Sequence, residues 1–149
     1  MKTDQLRTLQ TLRVLREQRA ASQLAAQRQR CEQTHSVLSD AKEQLRRHRE
    51  AVALEAREIY ASLSEGLSVA SWQAAQDRLR SLSHDEKALE DDVSQVSTTL
   101  QSQEHERELF RQERLSRQRQ SDAWQSLLEG RESSERRVGE LREESGSGA

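Results

Sequence analysis

Counting in sevens from Leu24 meets Cys31, Leu38, Leu45, Val52 and Ile59, an unbroken apolar ridge, while the interleaved positions Ala20, Gln27, Thr34, Ala41, His48 and Glu55 form a poorer one. Spacings of three and four put residues on one face of a helix and, when sustained, mark a coiled coil. A second ridge is cleaner, running through Trp72, Ala75, Leu79, Leu82, Glu86, Leu89, Val93, Val96, Leu100, Gln103, Arg107 and Phe110. The two ridges do not share a phase. One continuous helix would carry the first ridge onto Gly66 and Gln73. The seams are therefore offset by one residue, about 100° of helix rotation.

The break falls in the stretch Ser62-Leu63-Ser64-Glu65-Gly66-Leu67-Ser68. Gly66 can take the left-handed conformation just past a helix end, and the Ser68 hydroxyl can cap the next helix. Leu67 and Trp72 then stand where a hydrophobic staple would clasp the start of that helix. The pattern predicts an all-α fold, a long antiparallel two-helix coiled-coil hairpin over residues 1–143. Its first helix covers about 4–64, the turn about 65–68 and the second helix about 69–130, followed by fraying through Gly130 and Gly139 and a flexible tail over 144–149.

A hairpin folded near Gly66 pairs positions whose numbers sum to about 132, since both arms rise equally per residue. Charge checks this register independently. The basic run Arg46-Arg47-His48-Arg49 would face the acidic stretch containing Asp85, Glu86, Glu90, Asp91 and Asp92. Residues 1–64 carry a net charge of +4 and residues 65–149 a net charge of −6, so the arms attract. The same register brings Leu6, Leu9, Leu12 and Leu15 near Trp124, Leu127 and Leu128 to close the far end. Arms of about 60 residues make a rod about 90 Å long.

Composition removes whole classes of function. Only 32 % of the 149 residues are hydrophobic and 3 % aromatic, against about 45–50 % apolar in ordinary globular domains. The lone Cys31 excludes an internal disulfide or a thiolate cluster. No Gly-rich phosphate loop is present, and His35, His48, His84 and His105 lack the i, i+4 spacing of helical metal pairs. A two-helix rod has no concave pocket. No catalytic, cofactor or metal-binding residue is assigned, and a monomeric, non-enzymatic protein is expected. Cys31 reads as a core filler and His48 as a register-setting group near Asp85 or Glu86. The longest purely apolar run, Ala51–Leu54, is too short to span a bilayer. A cytoplasmic protein is expected.

Two surfaces could bind partners. Trp72 heads an apolar row beside the turn; it either staples the helix start or anchors a partner at the tip, which one neighbouring helix cannot fully cover. Arg13, Arg16, Arg19, Arg28 and Arg30 on the first arm meet Arg107, Arg111, Arg114, Arg117 and Arg119 on the second. They form either a solvated face balanced by nearby glutamates or a surface enclosed by an acidic partner. Nucleic acid fits poorly, because the arginines alternate with glutamates and no aromatic platform accompanies them.

A basic, Leu-rich first helix (Leu6-Arg7-Thr8-Leu9-Gln10-Thr11-Leu12-Arg13-Val14-Leu15-Arg16-Glu17), one central turn and a returning coiled-coil helix resemble the YscO/FliJ family, the central stalk proteins of type III secretion systems. The resemblance implies a non-catalytic stalk and adaptor that couples a hexameric secretion ATPase to the export gate and stimulates hydrolysis. It also implies a peripheral place at the inner membrane and contact with secretion chaperones. The family's gate contact maps onto Trp72, Gln76 and Leu79, where Gln76 is polar and the family tends to be apolar. The terminal end, with Arg13, Arg16, Arg19, Arg114 and Arg117, would sit in the ATPase ring. The rival reading is a homo-oligomeric coiled-coil scaffold with no ATPase partner.

Overall fold

The computed structural model describes residues 2–66 and 68–147. Two helices, α1 (Thr3–Ser64) and α2 (Val69–Ser147), make up the fold, packed antiparallel as a hairpin with no strand among the described residues. Their link closes with Glu65 N–H donating to the Ser62 carbonyl and Gly66 N–H to that of Leu63, both at 3.2 Å. Gly66 has φ of +88°. The Ser68 hydroxyl accepts from Ser71 N–H at 3.2 Å, capping α2. The staple expected of Leu67 and Trp72 falls on a residue outside those described. A Cβ added at Gly66 meets no atom within 4 Å, so substitution there strains only the backbone. Gly66→Ala should cost about 1–2 kcal/mol, lowering the melting midpoint followed by circular dichroism by about 2–8 °C.

The chain divides into two compact units. The turn unit, Gln29–Glu104, is held by an apolar seam in which Cys31, Leu38, Ala41 and Leu45 of α1 and Leu82 and Leu100 of α2 are buried. Val52, Ile59, Leu79, Leu89, Val93 and Val96 are half-buried around them. Polar ties set the expected register. Arg49 donates to Glu86 at 2.8 Å and to Glu90 at 2.9 Å, and Arg78 to Glu55 at 2.7 Å. His35 lies 3.4 Å from Glu104. His48 does not meet Asp85 or Glu86: its Nε2 donates to the Leu82 carbonyl at 3.0 Å. A seam position points the ring at the opposing backbone, and Glu86 is already taken by Arg49. Arg46 and Arg47 also turn back, onto Glu43 of their own helix.

These pairs make stability depend on acid. Hydrogen bonds from Arg46, reinforced by its charge and by Arg47, hold the Glu43 carboxyl at about 2, and the hydrogen bond from Arg78 holds that of Glu55 below its usual 4.5. A carboxyl depressed on folding contributes stability that is complete above its unfolded value and lost as pH falls through its folded value. The melting midpoint should therefore be flat near neutrality and decline from about pH 4.5 downward. Glu55→Gln should flatten that decline, which melts at stepped pH would measure. The effect per pair is small, since the partners are solvated.

The terminal unit comprises the chain up to Arg28 and from His105 onward. Its seam is more polar: Leu6, Ala20, Leu24 and Leu128 are buried, but so are Gln10, Gln27 and Ser121. Gln10 Nε2 donates to the Ser121 carbonyl at 3.2 Å, making a hydrogen-bonded layer across the helices. The leucine closure expected here is only partial. Leu12, Leu15 and Leu127 face outward because they lie off the seam phase, while Leu6 and Leu128 lie on it. The second helix also continues past position 130, through Gly130 and Gly139 to Ser147. Neither glycine takes the positive φ that would end a helix. Arg7 holds Glu132 at 3.0 Å and Thr3 donates to Glu135, tying that segment to the start of α1.

Candidate interaction surfaces

The turn unit presents its surface where the seam runs out. Six residues past Gly66, Trp72 lies in the first turns of α2 and retains 45 % exposure, so the ring is only partly covered. Leu79 is half-buried, and Gln76, one turn after Trp72, is exposed. Tyr60, six residues before Gly66, and Val69 are also exposed. These two enlarge the apolar surface of the turn beyond the three expected residues. The signal for Tyr60 was its place one residue past Ile59, off the seam.

In the terminal unit the five expected arginines divide by role. The Arg13 guanidinium lies 4.8 Å over the Trp124 ring and donates to Gln120 Oε1 at 3.3 Å. It is a structural brace, drawn to the ring's electron-rich face. Arg114 is half-buried, and its Nε is shielded from solvent without a hydrogen-bond partner. Arg117 donates to Glu113 at 2.7 Å. Arg16 and Arg19 are exposed and, with Arg117, Gln23 and Glu113, border a shallow depression over buried Ala20. The structure thus gathers Arg16, Arg19 and Arg117, and sets Arg13 and Arg114 into the helix interface. The stack of Arg13 on Trp124 depends on register across more than a hundred residues, which no local motif displays.

Among the described residues no cluster of His, Cys, Asp or Glu could hold a metal ion. Among the same described residues no helix is long and apolar enough to cross a membrane. The depressions on these surfaces are shallow and open, suited to contact with another macromolecule.

The architecture defines the class: a helical hairpin of two long helices packed against each other. A solved structure with this fold is the type III secretion protein YscO from Vibrio parahaemolyticus, which superposes with a TM-score of 0.84 over 95 % of this chain and 90 % of the other, at 17 % sequence identity. The fold implied by the YscO/FliJ resemblance is the fold found. No protein-family model matches the sequence, and the search among curated proteins gives no match.

Proposed function

We propose that this protein is a YscO/FliJ-type stalk and adaptor of a type III secretion system, joining the hexameric secretion ATPase to the export gate and raising ATP turnover without catalysis of its own. The hairpin fold shared with YscO carries this reading. On it, the turn end with Trp72, Gln76 and Leu79 meets the cytoplasmic domain of the gate. The terminal unit enters the ATPase ring with Arg16, Arg19 and Arg117 outward and Arg13 and Arg114 bracing the pair. Secretion chaperones are further partners. The protein works in the cytoplasm, peripheral to the secretion apparatus at the inner membrane, most naturally that of an injectisome.

Two features support the reading. The outward guanidiniums of the terminal unit suit a polar or acidic ring lumen, and a partly bare tryptophan at the turn suits a single anchored contact. Adding the protein to its cognate secretion ATPase should raise turnover and give co-elution, with the protein alone sedimenting as an elongated monomer. Unchanged hydrolysis without co-elution would overturn the stalk reading, and a concentration-dependent oligomer would favour the scaffold.

A further inference from the structure

One side of the terminal unit carries three zones in a row. Gln120 accepts from Arg13 and Glu106 accepts from Gln27, so the sevenfold stripe Glu106, Glu113, Gln120 and Leu127 borders the seam on that side. Facing it on α1 runs the stripe Leu9, Arg16 and Gln23. In the middle zone Arg117 is satisfied by Glu113, but Arg16 and Arg19 make no hydrogen bond or ion pair among the described residues. The three guanidiniums against the Glu113 carboxylate leave this zone cationic. The outer zones are apolar. Leu12 and Leu127 stand 42 % and 54 % exposed on one flank. On the other, Leu109 is 52 % exposed and lines, with half-buried Phe110, an apolar hollow that shares Glu113 with the arginine depression.

We infer that this side receives an acidic amphipathic helix of a partner as a third strand. The helix would place carboxylates at its centre over Arg16 and Arg19, and apolar side chains at both ends on Leu12 with Leu127 and on Leu109. Three observations favour that occupant. The surface is the groove between two parallel-axis helices, which a third helix fills by the same ridge packing. Its apolar zones on α2, at Leu127 and Leu109, are five turns apart, about 27 Å along the axis. The two free guanidiniums between them match carboxylates bidentately. The exposed apolar zones at Leu127 and Leu109 find no counterpart in a phosphate backbone. The inference rests on the stalk reading only for the partner's identity, the secretion ATPase; the recognition chemistry stands separately.

The probe is a labelled synthetic helical peptide of about five turns, with leucines toward both ends and glutamates spaced i, i+4 at its centre. Its binding to the full chain is read by fluorescence anisotropy. Binding should weaken at least about tenfold in Arg16→Glu/Arg19→Glu, whose melting curve should match that of the parent because both side chains are exposed. A peptide with lysines for the glutamates should not bind. Equal binding of the two peptides, no binding by either, or an unaffected double variant would overturn the inference, as would competition by heparin at least as strong as by the acidic peptide. Peptide failure with intact ATPase stimulation leaves the stalk reading standing. Peptide binding without stimulation removes the stalk reading alone.

Discussion

Leu24→Ala should destabilise the protein by about 2–5 kcal/mol, lowering the melting midpoint by about 5–15 °C. Leu24 is 1 % exposed and begins the apolar ridge in the terminal unit. The same seam also contains buried Gln10, Gln27 and Ser121, so few apolar side chains remain to hold the helices of this unit together once the leucine is gone. The loss should be local first. Amide exchange should quicken in segments 2–28 and 105–147 before it does in the turn unit, whose seam retains Leu38, Leu45, Leu82 and Leu100. Leu15→Ala is the matched control: its side chain is exposed, and the change should stay within about 0.5 kcal/mol. Equal effects of the two substitutions would mean that Leu24 is not in the seam.

The second large effect concerns the turn and rests on the stalk reading. Trp72→Ala should weaken binding to the purified cytoplasmic domain of the export gate by about 2–4 kcal/mol, or roughly 30- to 1000-fold. The folded protein should survive, because Trp72 is exposed and its backbone N–H still donates to the Ser68 carbonyl at 3.0 Å. Trp72→Phe should retain most of the affinity, since a flat apolar face remains. Calorimetric titration of both variants measures this. Unchanged affinity in Trp72→Ala would move the gate contact elsewhere, with exposed Tyr60 and Val69 the next residues to substitute.

Much of the fold is legible because a coiled coil writes its contacts into a period of seven. Counting forward from Leu24 reaches buried Cys31, Leu38 and Leu45, and the phase slip at Gly66 marks the reversal. Counting backward reaches Glu17 and Gln10, and the structure follows that phase by burying Gln10. The nearby leucines mislead because they suggest burial by composition, yet Leu12 and Leu15 lie on the outer faces of the same helix. Phase outweighs hydrophobicity here. A helix held by many seam contacts cannot rotate to bury two residues without exposing the rest.

The candidate interaction surfaces divide along the same line. Trp72 beside the turn is readable, since a wide aromatic at the end of a two-helix seam has too little neighbour to cover it. The five arginines of the terminal arms look equivalent in the sequence but are not so in space. Arg13 is spent on Trp124, Arg117 on Glu113, and Arg114 is set into the interface, while Arg16 and Arg19 stay free. That sorting depends on which side chains the opposite helix brings within reach.

By itself the sequence determined that this chain is helical, that it reverses once at Gly66, and which ridge of each helix meets the other, because periodicity and turn chemistry are local properties. Only the tertiary structure decided which polar groups complete the seam, which leucines stay outside it, and which guanidiniums remain unpaired. Those outcomes depend on distances between residues far apart along the chain, and such distances exist only once the two helices lie in register.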